Sequence, residues 1–421
     1  MSDERGADAP VRDRAASEGE RGGLTRRSVL LGTGGVVAAG AGAGLLGALR
    51  GGGHRDASSG SGSVGARVSV PAAGPHQAGV ARPATPQPHA LLTVADLGAP
   101  DAPVRLDAVS AALGAIGARI LELTDASRYD DVVTPDGPGD LVVTVGLGPR
   151  ILSAIDPTLP AAVPLPGFRG DDGMDDLHRG GDLLLAAYAT DPTPLPAVTA
   201  ALVSAVHDVA PGLLRRRWAE HGFRAPGEDG IARSPLGYHD GIRIPRTEGE
   251  LAEHVWIGQS DHPAATGGTV MVLRRLVLDV DRFLAQSEQR RDEIVGRRRL
   301  SGAPLSGGER LDDVDLNAKT PEGAYLTPAR SHARAAHPSF TGSHLMLRRS
   351  YAFSVPGTGE TAGEVGLLFA CYQRDLDTFI RTQLRLDETD DLMAFAAPTA
   401  SASFLILPGY TRDRPLGSTL R

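Results

Sequence analysis

From residue 89 onward the chain alternates strand-length apolar runs with segments of helical spacing, and it does so in two rounds. His89–Asp96 is a short apolar run, and Leu106–Leu123 then repeats apolar residues on one helical face. Leu141–Leu147 is β-rich, Leu183–Tyr188 is a further strand, and Leu195–Val206 a further helix. The rhythm returns after about Ile242. Thr269–Val280 is a long strand, and Val280, Phe283, Leu284, Ile294 and Val295 mark an amphipathic helix. Strands follow over Leu345–Phe353, Val365–Tyr372 and Ser403–Leu407, with a helix over Leu376–Leu386. Side chains alternate every two residues on a strand and return every 3.6 on a helix, so the pattern separates the two. Two such rounds predict an α+β fold of two related domains, residues 68–241 and 242–421, each a sheet with helices on one face. The stretch from Ser301 to Pro338 is long and irregular. It leads into a His-rich segment, and an ordered loop of that length usually serves function.

The residues before the folded part have a different composition. Residues 1–27 are polar and charged, and Thr25-Arg26-Arg27-Ser28-Val29-Leu30-Leu31 sets twin arginines before an apolar run. No charge occurs from Ser28 through Leu49. Residues 1–49 therefore read as a twin-arginine signal peptide. The run is long enough to span a bilayer, so an uncleaved tether is the alternative, but its Gly content makes it weakly hydrophobic. Residues 50–67, rich in Gly and Ser, read as a flexible linker. The predicted partner is the twin-arginine translocation machinery, and the predicted place is outside the cell or at its envelope. The single cysteine, Cys371, excludes an intrachain disulfide framework and a Cys-held metal cluster. A net charge of −8 argues against a nucleic-acid partner.

Three short segments carry candidate chemistry. Ser331-His332-Ala333-Arg334-Ala335-Ala336-His337-Pro338 offers two imidazoles. A neutral imidazole can hold haem iron and leave the other face open, and spacing alone leaves His332 and His337 equal. Gly237-Tyr238-His239-Asp240-Gly241 brackets an acid with glycines. Such a turn either projects a carboxylate or lets Asp240 bond its own backbone. Leu347-Arg348-Arg349-Ser350-Tyr351 puts two arginines in a strand-like run, so one must face inward, where an Arg needs a partner or a function.

In this order, the segments resemble the dye-decolorizing peroxidases of the exported bacterial type. Gly74-Pro75-His76-Gln77-Ala78-Gly79-Val80 and Leu141–Gly148 resemble that family's opening segment and next strand. Pro235–Gly241 fits its GxxDG motif. Gly267-Gly268-Thr269 into Arg274-Arg275, Gly296-Arg297, Gly302–Leu305, Gly366–Asp375 and Ser403–Gly409 continue the likeness over nearly the whole folded part. The resemblance implies two ferredoxin-like domains with antiparallel sheets, one haem b per chain in the C-terminal domain, and a reaction with hydrogen peroxide and a reducing substrate such as a dye or phenol. It implies His332 as the proximal iron ligand, Asp240 as the distal acid, and Arg348 as the distal arginine, with Arg349 the fallback. It also implies Leu367 and Phe369 as pocket-lining residues, Arg334 as a contact to a haem propionate, and Asp390, or its neighbour Asp391, as the partner of the His332 ring. Tyr351, Tyr372, Trp218 and Trp256 are candidates for passing electrons to bulky donors. Activity is expected to favour acidic pH. A homo-oligomer is compatible with all of this, and an exported haem- or iron-handling (deferrochelatase-like) protein is the alternative. The sequence departs from the family after Gly241, where Ile242-Arg243-Ile244-Pro245 replaces the usual residues.

Overall fold

The computed structural model describes residues 69–359 and 363–420. The signal peptide read over 1–49 and the linker over 50–67 lie outside the described residues. Among the described residues no helix is long and apolar enough to cross a membrane.

The N-terminal half runs β1 (His89–Leu97), α1 (Leu106–Leu123), β2 (Val142–Leu147), α2 (Pro149–Ile155), β3 (Leu183–Ala189), α3 (Leu195–Val209) and β4 (Leu214–Phe223). Its strands pair antiparallel in the order β2-β3-β1-β4. The C-terminal half begins with α4 (Glu248–His254), whose first turn is closed by a capping box between Thr247 and Glu250. It continues through β5 (Thr269–Leu278), α5 (Val280–Leu284), α6 (Glu288–Val295), α7 (His332–Ala335), α8 (Pro338–Thr341), β6 (Leu347–Arg348), β7 (Tyr351–Val355), β8 (Glu364–Gln373), α9 (Leu376–Thr389) and β9 (Ala396–Ile406). Its order is β9-β5-β8-β7, also antiparallel, with the short β6 beside β8. Each half thus has strand–helix–strand–strand–helix–strand connectivity and the same spatial order.

The two halves do not keep separate sheets. β2 pairs with β9 through Gly146–Ile406 and Leu147–Leu405, and β4 pairs with β7 through Phe223–Ala352. With β5 also paired to β8, eight strands close into a ring and β6 extends it. This corrects the expectation of two independent sheets. Open sheet edges carry unpaired backbone groups, and closure removes them. Both seams depend on a glycine. A Cβ on Gly146 would stand 2.8 Å from Ile406 Cδ1 and 2.9 Å from Phe404 Cβ. One on Gly222 would stand 2.6 Å from Tyr351 Cβ.

Alternation along the strands then gives two apolar layers. Leu92, Val94, Tyr188, Tyr351, Phe353 and Tyr372 belong to the layer inside the ring. Leu91, Val143 and Leu185 point outward to α1 and α3, where Ile116, Ile120 and Leu202 complete a second core. Each fully buried aliphatic side chain of this kind contributes about 2 kcal/mol. The outward face of the C-terminal half is covered more sparsely, and there the cavity lies.

Candidate active site

A cavity of about 280 Å³ lies between the outer face of β5 and β8 and the helices α7 and α9. Leu276, Leu278, Leu367, Phe369, Phe379 and Leu386 give it apolar walls. Leu367 and Phe369 reach it because alternate residues of β8, Leu368 and Ala370, turn into the ring.

His332 opens α7 and lines the cavity. Its side chain is 39% exposed while its partner Asp390 is 0% exposed. The Nδ1 atom lies 2.6 Å from Asp390 Oδ2. Asp390 sits at the end of α9, and its Oδ1 accepts the Leu392 N–H at 2.8 Å. Both carboxylate oxygens are therefore used, and the ring is held with Nε2 left over. Asp391 is engaged elsewhere, with Arg290 at 2.7 Å and Arg330 at 2.5 Å. The pair alters the imidazole: burial disfavours its charge, but Asp390 outweighs burial and raises its pKa. His337 also lines the cavity, yet its Nδ1 accepts the Ser339 N–H at 3.2 Å and its Nε2 lies 3.4 Å from Asp313.

Asp240 and Arg348 meet in the same cavity, Arg348 Nε donating to Asp240 Oδ1 at 3.2 Å. The loop that presents Asp240 needs its glycines, since Gly237 and Gly241 have φ of 84° and 86°. Its backbone is pinned by Asp240 N–H to the Ala232 carbonyl at 2.8 Å and by Arg246 Nη2 to the Gly241 carbonyl at 2.7 Å. Arg348 stands on β6 opposite Cys371 and also donates to the Arg243 carbonyl at 3.2 Å. Arg349 faces the other way, its Nη1 and Nη2 donating to the carbonyls of Gly79, Pro83 and Ala84. Strand alternation thus separates the two arginines, one to the cavity and one to a backbone clamp. Burial works against the Asp240 charge, but Arg348, Arg224 and the Gly241 N–H hold its carboxyl below the usual value. A base ionised that far down does not by itself produce the acid optimum expected from the sequence.

Arg334 does not line the cavity. Its Nη1 donates to the Leu316 carbonyl at 2.5 Å and its guanidinium lies 4.1 Å from the Tyr325 ring centroid, so it pins the long loop instead. The cations that do line the cavity include Arg243, Arg274 and Arg297, none of which the sequence reading selected. Arg274 is 2% exposed and paired with Asp171, and its Nε and Nη1 have no hydrogen-bond partner among the described residues. The signal for it was present: Arg274-Arg275 is a paired arginine in a strand, as Arg348-Arg349 is. Arg275 turns the opposite way, to Glu220 at 3.0 Å and Glu364 at 2.5 Å.

Family models for the Dyp-type peroxidase N-terminal and C-terminal domains match residues 77–224 and 232–411. The chain belongs to the Dyp-type peroxidase family. It is a haem peroxidase, an oxidoreductase acting on peroxide. The dye-decolorizing peroxidase of Thermobifida fusca is 33% identical over 300 residues, 67% of this chain and 68% of that one. A deferrochelatase of Shigella sonnei is 30% identical over 305 residues, 67% of this chain and 69% of that one. The crystal structure of a DyP-type peroxidase from Cellulomonas bogoriensis superposes with a TM-score of 0.74 at 31% identity, over 84% of this chain and 98% of that one.

The cavity fits haem. Among the described residues no three His, Cys, Asp or Glu side chains gather to hold a bare metal ion. A lone carboxylate-backed imidazole suits an iron that brings its other ligands in a macrocycle. The apolar walls suit that macrocycle, and the unpaired N–H groups of buried Arg274 suit anionic substituents.

Proposed function

We propose that this dye-decolorizing peroxidase holds one haem b per chain, with His332 Nε2 as the iron ligand and Asp240 and Arg348 acting on peroxide. One observation carries the assignment: a single apolar cavity is lined both by an imidazole fixed to a buried carboxylate and by an acid–arginine pair. Haem supplies the iron at which peroxide is reduced. Asp390 fixes the His332 tautomer and ring direction by accepting the Nδ1 proton. Asp240 takes a proton from the inner oxygen of peroxide and returns it to the outer oxygen, directly or through water. Arg348 donates to the charge that builds on the departing oxygen. Arg243 and Arg274 are the proposed partners of the haem carboxylates, in place of Arg334. The visible spectrum tests the ligand: a Soret band that vanishes in His332→Ala and persists in His337→Ala supports His332, and persistence in His332→Ala overturns it.

Dyes and phenols are the proposed donors. Of the aromatic candidates, Tyr351, Tyr372 and Trp218 are buried, whereas Trp256 is half-buried and stacked on His76 at 3.8 Å. Trp256 is therefore the proposed contact for bulky donors, and Trp256→Phe is expected to slow dye oxidation while sparing a small phenol. A second reading, haem- or iron-handling in an uptake system, rests on the likeness to the Shigella sonnei deferrochelatase. Iron release from bound haem without peroxide would favour it.

The two halves, each with spatial order 4-1-3-2, are proposed to be ferredoxin-like domains, with haem in the C-terminal one. Export by the twin-arginine machinery follows from Arg26-Arg27 and the apolar run after them. Fractionation of cells carrying Arg26→Lys/Arg27→Lys tests this, and unchanged export of that variant counts against it.

A further inference from the structure

His344 lines the cavity on the segment that leads into β6 and Arg348. Its Nδ1 lies 3.1 Å from Nδ1 of His254, the last residue of α4. The rings are tilted by 55° with centroids 5.3 Å apart. Two Nδ1 atoms at this distance share one proton, so one ring donates and the other accepts. Each ring then keeps its Nε2 for another neighbour. His254 Nε2 lies 4.0 Å from Glu253 Oε1, on a side chain that is 67% exposed, while His254 itself is 16% exposed. Two imidazoles in hydrogen-bond contact thus join the cavity wall to a surface carboxylate.

We propose that the His254–His344 pair is the proton inlet of the peroxidase, a proposal that rests on the haem-peroxidase reading. Converting one hydrogen peroxide to two waters takes two electrons and two protons. The reducing substrate supplies the electrons and bulk water the protons. A proton arrives at His254 Nε2 from the Glu253 side. The Nδ1 proton of His254 passes to Nδ1 of His344, and His344 releases its Nε2 proton to water in the cavity. Each ring then returns to its starting tautomer by reorienting and exchanging its proton with water, which resets the pair without reversing the transfer. Asp240 is spared this duty, since it moves a proton between the two oxygens of peroxide and consumes none.

The surroundings favour the neutral form of the His254 ring. Burial lowers the His254 pKa, Glu253 and Glu250 on α4 raise it, and His344 and Arg243 from the facing loops lower it, with a net downward result. The Arg374 N–H donates to the His254 carbonyl at 2.9 Å, and Arg374 is itself held by Asp261 at 2.7 Å. Asp261 is also the acid on the His344 side of the pair. No fixed cation or acid binds either ring within hydrogen-bond distance among the described residues, as a relay that must pass its proton on requires.

The test uses the haem-loaded enzyme with His254→Asn and His344→Asn, singly and together. An amide keeps a hydrogen bond near the Nδ1 position but cannot relay a proton. The expected result is unchanged haem content, Soret position and Tm, with kcat at pH 8 reduced about a hundredfold, the low end of proton-transfer effects. The solvent deuterium isotope effect on kcat rises in each single variant, and the loss shrinks at pH 5, where protons are abundant. The double variant loses no more than either single one, because both cut the same path. Variants that turn over as the parent does, or that lose kcat with an unchanged isotope effect, overturn the inlet and leave a structural tie. A parent protein that loads haem yet shows no peroxide turnover fails the peroxidase reading itself, and the inlet with it.

Discussion

α3 and α9 occupy the same place in their halves, each crossing back between the third and fourth strands, yet they bury opposite kinds of residue. α3 buries Leu195, Val198, Leu202 and Val206, and beside it α1 buries Leu113, Ile116, Ile120 and Leu123. α9 buries Thr378, Phe379, Thr382 and Gln383. A helix that seals a sheet face fills it with aliphatics, whereas α9 borders a cavity, and Thr382 and Gln383 line it. One half of the ring is therefore a wall and the other a site built on the same strand order. Polar residues on the inward stripe of an amphipathic helix mark the difference.

The comparison breaks most sharply at the iron ligand. His332→Ala is expected to abolish the Soret band and peroxide turnover while the wall, and with it cooperative unfolding, stays intact. Loss of the fold together with haem would mean that the site half cannot stand without its cofactor. Next in size is Asp240→Asn. Removing the proton carrier should lower kcat/KM for peroxide about 10²–10⁴-fold with the Soret band retained. A loss below threefold would transfer the duty to Arg348 or to water. Comparable in energy, but read in stability, are two truncations. Ile116→Ala empties a fully buried wall position and should cost about 3 kcal/mol in urea unfolding. Leu386→Ala removes a half-buried side chain beside a cavity that already exists, so it should cost the haem-free protein about 1 kcal/mol, roughly half the transfer cost of three fully buried carbons. Equal costs would show that the site half is packed as tightly as the wall.

Much of this contrast can be read from the sequence, for local reasons. The strands and long helices follow from periodicity, because each reports its own buried face. Closure of the ring does not, since its seams rest on one and two residue pairs between distant segments. Gly146 and Gly222 were the only local trace, and a glycine in a strand has several meanings. Within the site, His332, Asp240, Arg348, Leu367, Phe369 and Asp390 were all named, and all but Asp390 line the cavity. His332 and His337 stayed equal on spacing because what distinguishes them, Asp390, lies 58 residues away. Arg334 was placed at the cofactor by its motif, but a tertiary contact to Leu316 and Tyr325 takes it to the loop. Arg243 lay in the stretch that departs from the family after Gly241, where likeness had nothing to offer.

The smallest expected effect is a movement of a pH limb, and it separates site from wall by charge. Asp240 has its pKa lowered in the folded protein: burial opposes the charge, and Arg348 is the largest influence that overcomes burial. As the base, Asp240 must be ionised, so the peroxide step should hold level from pH 8 down to about 4, near the usual carboxylate pKa, and fall only below it. A carboxyl depressed on folding also adds stability that is fully present above its unfolded pKa and is lost as pH falls through the folded one. Arg348→Leu removes the main counter-charge, so the acid limb of the peroxide step should move up by about one unit, the usual lower bound for an adjacent opposite charge. The stability contributed by Asp240 should fade at correspondingly higher pH. Rapid mixing with peroxide across pH 3–8 in parent and variant measures the limb. A limb that stays in place while the rate falls would assign Arg348 to the departing oxygen alone and hand control of Asp240 to Arg224 and the Gly241 N–H.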